Sequence, residues 1–292
     1  VGAAEAARRA VKVVVTGAAG QLGTDVVAHC REAGDDVLAA DRGRLDVTDR
    51  DEVHALLAAT RPDAVINTAA YTAVDACESH EAEAALVNDT AVRWLAESCS
   101  SVGAHLVHVS TDYVFDGTLD RPYREDDEPH PMTAYGRTKL GGERSAGPDA
   151  AIARTSWVCG EHGANIVELV LRLSAERDEL AFVDDQRGSP TFTADLAPAL
   201  RRLAIDRRRG VHHLTNQGAV TWYEFVREIL RAAGRDPAMV RPITTAELDP
   251  PRPARRPANS VLDNAVWRAA GLPMLRDFHA PLAELVDTLT RR

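Results

Sequence analysis

The sequence predicts an α/β fold, a doubly wound parallel sheet followed by a smaller, mixed α/β unit. Three observations lead there. Short apolar or β-branched runs alternate with helical periods through the first half of the chain, the first run empties into a glycine-rich turn, and the pattern loosens after about residue 155. Strands joined by crossover helices leave this alternation in a sequence. A length of 292 residues suffices for one large domain or two modest ones with a substantial core.

"VKVVVT" (11–16) reads as a strand buried on both faces of a parallel sheet. The helical spacing of 21–33 stops at Gly34, the residue type favoured just past a helix end. Further strands are predicted at 36–40, 64–67, 106–111 and 151–154, and helices at 51–59, 81–101 and 134–145. Together these make a Rossmann-type dinucleotide-binding domain over 11–155. Beyond it, 165–176 and 194–206 read as helices, 211–215 as a strand, and Thr221 with Glu224 as a capping box. The proline- and arginine-rich "ELDPPRPARRP" (247–257) tolerates no regular element. Residues 156–292 are expected to be mainly a substrate-binding domain with segments crossing between the units, and residues 1–10 a loose leader.

Composition narrows the function. A net charge of −10 argues against nucleic-acid binding, which needs a positive field. A small anionic ligand stays open, because local arginines and helix N-termini reverse the sign inside a cleft. No apolar run approaches the roughly 18 residues of a membrane span. Cys30, Cys77, Cys99 and Cys159 form no CxxC pair, so free thiols in a reducing, cytoplasmic compartment are expected.

"TGAAGQLG" sets Gly17, Gly20 and Gly23 between the first strand and the first helix. One glycine turns the chain, one admits backbone N–H groups to a pyrophosphate, and one packs helix on strand. Asp41 ends the second strand, where an acid holds an adenosine ribose, while Arg42 and Arg44 could receive a 2′-phosphate. NADH and NADPH therefore both stay open. In "LDVTD" (45–49), Asp46 and Val47 could flank the adenine, and helix capping suits Asp46 equally well. In "NTAAYT" (67–72), small Ala69 and Ala70 let backbone approach the cofactor, with Tyr71 and Thr72 adding hydrogen-bonding ends.

"LVHVSTDYVFDG" (106–117) is a strand ending in Ser110, Thr111 and Asp112, at the edge where ligands of open α/β sheets bind. In "AYGRTK" (134–139), i, i+4 spacing puts Tyr135 and Lys139 on one helix face. A phenol with a pKa near 10 is a poor catalyst at neutral pH, and a nearby ammonium is expected to lower it. Lys139 could also hold the nicotinamide ribose, and the Thr111 hydroxyl share the substrate oxygen. Gly136, Gly141 and Gly142 weaken this helix, which suggests backbone packed close to a neighbour.

The glycine loop, the strand-end Ser-Thr and the YxxxK helix together resemble the extended short-chain dehydrogenase/reductases. A closer resemblance, to the dTDP-4-dehydrorhamnose reductase family, rests on "TGAAGQLG", "NTAAYTAVDACE", "STDYVFDG", "AYGRTKLGGE", "RTSWVCG", "DQRGSPT" and "RPANSVLD". It implies NAD(P)H-dependent reduction of the C4 ketone of dTDP-4-dehydro-L-rhamnose to dTDP-L-rhamnose, a polysaccharide precursor, by a monomer or homodimer. By motif, Tyr135 would protonate the C4 oxygen, Lys139 would tune it and bind the ribose, and Thr111 would assist. Gly20, Gln21 and Leu22 would line the pyrophosphate, with Asp41, Asp46, Val47, Ala70, Tyr71 and Thr72 along the rest of the cofactor. Asp112 and Trp157 would touch the sugar nucleotide. Arg187, Arg255 and Arg256 are candidate diphosphate clamps.

Two departures from the family pattern bear on the site. Asn165-Ile166 stands where the family has Asn-Phe. Some relatives hold Mg2+ at a dimer contact, and Asp25 matches that helix position without evident partners. No catalytic metal is expected, since hydride transfer to a ketone needs only a proton donor and a polarising group. A 4,6-dehydratase must remove a C5 proton and would want a second carboxylate beside the tyrosine, which Thr111-Asp112-Tyr113 lacks, while a 4-epimerase would retain its cofactor and recycle it without net consumption. A non-catalytic cofactor-binding subunit, like the regulatory subunit of methionine adenosyltransferase, is the reading from another class. The intact Thr111, Tyr135 and Lys139 set favours an enzyme.

Overall fold

The computed structural model describes residues 10–291; the expected leader, apart from Ala10, and Arg292 lie outside the described residues. In chain order the first half contains β1 (Lys12–Thr16), α1 (Gln21–Glu32), β2 (Asp36–Ala40), α2 (Arg50–Thr60), β3 (Ala64–Asn67), α3 (Val74–Cys77), α4 (Glu81–Ala85), α5 (Ala91–Val102), β4 (His105–Thr111), α6 (Ala134–Ala146) and β5 (Ala151–Thr155). The second half contains β6 (Val158–Cys159), α7 (Ile166–Glu176), β7 (Leu180–Val183), β8 (Arg187–Gly188), β9 (Thr191–Phe192), α8 (Thr193–Ile205) and β10 (Gly210–His213). It ends with β11 (Val220–Thr221), α9 (Trp222–Ala232), β12 (Val240–Ile243), α10 (Ala265–Ala269) and α11 (His279–Thr290).

Six parallel strands in the order β10-β5-β4-β3-β1-β2 form the central sheet. Val13, Val14 and Val15 are fully buried because helices cover both faces. One face packs against α1 and α8 around Val26, Leu196, Leu200 and Leu203, the other against α2 and α5 around Val53, Leu57, Val92 and Leu95. The register pairs Thr16 with Asn67, Asn67 with His108, and Thr111 with Thr155, which brings the carboxyl ends of five strands to one edge. The chain does not leave the sheet for good at residue 155: α8 and β10 return to it. A separate apolar core gathers α7, α9 and α11 around Val170, Phe225, Ile229, Phe278 and Leu282. Helix α9 opens on the expected capping box, Glu224 N–H donating to Thr221 Oγ1 at 3.1 Å and Thr221 N–H to Glu224 Oε2 at 2.8 Å.

Where the elements depart from the sequence-based expectation, the cause is local. Helix α11 was not foreseen because the apolar Phe278 stands at its cap position; its first N–H, that of His279, is instead taken by Asp277 Oδ1 at 3.1 Å, one residue further out. The helix expected at 81–101 is broken by a π turn, Leu86–Thr90, between α4 and α5. The extra residue of a π turn redirects the side chains around it. Here it buries Asn88, whose Oδ1 accepts from Tyr71 N–H at 2.8 Å while its Nδ2 donates to Tyr71 O and Thr138 Oγ1, both at 3.1 Å. Helix α6 lies directly on this turn. A Cβ on Gly142 would collide with the Asn88 carbonyl oxygen and stand 3.1 Å from His108 Nε2. In an exposed helix, alanine is favoured over glycine by about 1 kcal/mol; here overpacking reverses the sign. Gly142→Ala is expected to lower unfolding stability by about 1–3 kcal/mol in urea titrations.

Candidate active site

Two adjoining cavities lie along the carboxyl edge of the sheet. The first, ≈ 670 Å³, is lined by Gly17, Gly20, Asp41, Arg42, Asp46, Val47, Ala69 and Ala70, among others. The second, ≈ 510 Å³, shares Gly20, Thr68 and Ala70 with it and adds Gln21, Leu22, Gly23, Thr72, Thr111, Asp112, Tyr135, Lys139 and Trp157. Residues spread over some 140 positions in sequence thus meet in one cleft. Tyr71 is the exception: its ring packs beside Tyr135 on Cys77, Ala84 and Ala134 and lines neither cavity.

The first cavity has the form of a dinucleotide site. Gly17 adopts φ 67°, and a Cβ there would lie 2.6 Å from Ala69 N, so only glycine lets the β1–α1 turn rest on the loop after β3. Gly20 N–H donates to Gly17 O at 2.9 Å and closes the turn at the start of α1. Asp41 Oδ1 accepts from Gly43 and Arg44 N–H at 3.0 and 3.2 Å, a turn that leaves Arg42 but not Arg44 on the cavity wall. Asp46 Oδ1 accepts from Thr48 N–H and Oγ1, which holds its carboxyl below the usual range. Asp49, not Asp46, caps α2, accepting from Asp51 and Glu52 N–H. That settles the capping alternative and leaves Asp46 on the cavity wall.

The second cavity holds the candidate chemistry. Tyr135 stands in the first turn of α6, its ring 5.5 Å edge-on from that of Tyr113. Burial raises its phenol above the ordinary value, opposed in part by the neighbouring Thr111 hydroxyl. Burial also lowers Lys139, to about 8. Its Nζ donates to Val109 O at 2.7 Å and lies 3.4 Å from Nε2 of the fully buried His108. Burial therefore governs both acidities, where the sequence suggested that the ammonium would govern the phenol. The outcome is a phenol that keeps its proton, the form a donor needs.

Three buried polar atoms in this cavity have no protein partner: Asp112 Oδ2, Gln21 Oε1 and Thr155 Oγ1. Asp112 Oδ1 accepts from Thr111 Oγ1 at 2.9 Å, and burial raises its carboxyl to about 6. The clamp candidates are placed elsewhere: Arg187 and Arg255 are exposed, Arg256 is paired with Asp75, and none lines either cavity. Asp25 faces His162 Nε2 at 3.7 Å, and no group of three or more metal-ligating side chains occurs among the described residues. Asn165 caps α7 through Val167 and Glu168 N–H.

Several supporting residues escaped the sequence reading. Glu143 Oε1 accepts from Ser110 Oγ at 2.6 Å and Arg154 Nε at 2.8 Å, and its Oε2 from Arg154 Nη2 at 2.7 Å. This buried pair joins α6 to β4 and β5 beneath the site. A signal existed: Glu143 follows Lys139 by four residues on the same helix face, and Arg154 is a charge inside a strand otherwise buried. Asn88 and Trp222 carried no comparable mark.

The chain matches the family model described as "RmlD substrate binding domain" over residues 11–291. It is 46% identical over 288 residues to dTDP-4-dehydrorhamnose reductase of Streptomyces griseus, covering 96% of this chain and 94% of that one. Among solved structures, a dTDP-4-dehydrorhamnose reductase from Clostridium acetobutylicum superposes with TM-score 0.92 at 39% identity, covering 96% of this chain and 99% of that one. Another, from Bacillus anthracis in complex with NADP, gives TM-score 0.88 at 33% identity, covering 97% and 98%.

The raised Asp112 carboxyl has a consequence for stability. A folded-state pKa of about 6 against 3.8 means the folded protein holds this proton longer, so the stability that this one carboxyl contributes is full below about pH 4 and is lost as pH rises through 6. Asp112→Asn should therefore stabilise the fold by about 2–3 kcal/mol at pH 7.5, the gain shrinking towards pH 4. Paired urea titrations at the two pH values check it.

Proposed function

The chain belongs to the dTDP-4-dehydrorhamnose reductase family, and from that premise we propose that it reduces the C4 ketone of dTDP-4-dehydro-L-rhamnose to dTDP-L-rhamnose. The observation that carries this reading is the meeting of Tyr135, Lys139 and Thr111 in a cavity that adjoins the glycine-loop cleft and shares Gly20, Thr68 and Ala70 with it. A nicotinamide dinucleotide, when bound, supplies the hydride. Gly17, Gly20 and the start of α1 would hold its diphosphate, and Asp41, Asp46 and Val47 its adenosine end. Arg42 on the wall suits a 2′-phosphate, in line with the NADP bound by the Bacillus anthracis relative. A cytoplasmic setting goes with this reading, since the four cysteines are free and buried.

The protein's own part in the reaction is proton delivery and placement. The protonated Tyr135 phenol gives its proton to the carbonyl oxygen as that oxygen gains charge. The Thr111 hydroxyl donates its one proton to Asp112 Oδ1 at 2.9 Å, and with substrate bound it would turn that proton to the same carbonyl oxygen. Lys139 lies one helical turn from Tyr135, and its positive charge favours the phenolate left behind. The buried Asp112 carboxylate, which also lies beside Ser260, would accept a sugar hydroxyl. With Tyr113 following Asp112, no second carboxylate stands in line to drive elimination, so reduction rather than dehydration is the chemistry supported.

Purified protein should oxidise NADPH one-for-one with the 4-keto sugar nucleotide, followed by loss of NADPH absorbance. Tyr135→Phe should lower kcat by roughly 10²–10⁴-fold while NADPH still binds. Tightly retained cofactor recycled without net consumption would overturn the reading in favour of an epimerase.

A further inference from the structure

Trp157 follows β5 with φ 45°, a left-handed conformation that is strained for a bulky side chain. Strain of this kind persists only where the surroundings impose it. On one face, the Trp222 indole at the start of α9 stacks on it, ring centroids 3.6 Å apart and planes 9° from parallel. On another side lies Gly188 of β8, where a Cβ would stand 2.5 Å from Trp157 Cε2 and 2.7 Å from Nε1. Thr191 N–H donates to the Trp157 carbonyl at 3.2 Å and pins the backbone. Behind the pair, Phe225 lies 6.3 Å from each indole and ties both to the C-terminal core.

Both indoles line the cavity that contains Tyr135 and Thr111, and both are only half-buried. Plain core packing explains neither feature: a core tryptophan would be enclosed, and it would not need a strained backbone to reach its place. We propose that Trp222 and Gly188 are positioning residues that hold the Trp157 indole as the sugar-side wall of the substrate cavity. Covered by Trp222 and resting on bare backbone at Gly188, the Trp157 ring has one orientation available, with its remaining surface turned to the ligand. An apolar aromatic wall suits the methyl and C–H faces of a 6-deoxysugar. The proposal rests on the reductase reading for its substrate.

The test compares Trp222→Leu, Trp222→Phe and Gly188→Ala with the parent protein in three measurements. These are steady-state kinetics, tryptophan-fluorescence titration with the sugar nucleotide, and circular dichroism of the exciton couplet that two stacked indoles produce. Trp222→Leu should abolish the couplet and raise KM for the sugar nucleotide about threefold to tenfold, with kcat within about twofold and NADPH affinity unchanged. Trp222→Phe should recover most of the KM without the couplet. Gly188→Ala should raise KM while keeping both indoles, and it tests the wall even if Trp222→Leu fails to fold. An unchanged KM in Trp222→Leu and Gly188→Ala overturns the proposal, as does a loss of kcat and NADPH affinity in step with thermal stability. If the sugar nucleotide binds but is not reduced, the reductase reading fails on its own. The titration then judges the wall: weaker binding by the variants supports it, and equal binding refutes it.

Discussion

The site depends on one close approach, that of helix α6 to the π turn between α4 and α5. At Gly142 the two backbones touch with no side chain between them. This contact sets the depth at which α6 lies over the sheet, and with it the position of Tyr135 and Lys139. The same turn buries Asn88, whose amide holds the loop after β3 with Oδ1 and Nδ2 and reaches Thr138 on α6. A single side chain thus fixes the spacing between the loop after β3 and the helix that bears Tyr135. Helix propensity is sacrificed for this geometry, since glycine is a poor helix former.

Beneath that contact the fold keeps charge where it is expensive. Glu143 accepts two hydrogen bonds from Arg154 and a third from Ser110, and so joins α6 to two strands of the sheet, while the buried Arg154 Nη1 keeps no partner. Such a pair contributes little net stability, but removing either partner would strand a buried charge. The groups facing the cavity are less well satisfied. Burial keeps Tyr135 protonated, brings Lys139 down towards neutral pH, and leaves one Asp112 oxygen without a partner.

Much of the sheet was legible because its signals are local. A run of valines buried on both faces, a glycine turn and a helix stop at Gly34 each depend on a few neighbouring residues. The glycines of α6 also announced a close neighbour, though not which one. Which effect dominates the acidity of Tyr135 was not legible, for a physical reason. Spacing on a helix shows that two side chains share a face, but not how far water is excluded from them, and exclusion of water outweighs the pair here. The three candidate arginines were similarly ambiguous, because whether a guanidinium meets a ligand or solvent depends on what folds over it.

By itself, then, the sequence determined the parallel sheet, the phosphate-type turn and the set Thr111, Tyr135 and Lys139, since these follow from periodicity, glycine placement and residue chemistry over short stretches. Tertiary structure alone decided the rest. It returned α8 and β10 to the sheet, paired Glu143 with Arg154, and laid Trp222 against Trp157. Each of these joins residues whose neighbours in space are set by packing, a property of the whole chain that no short window of sequence contains.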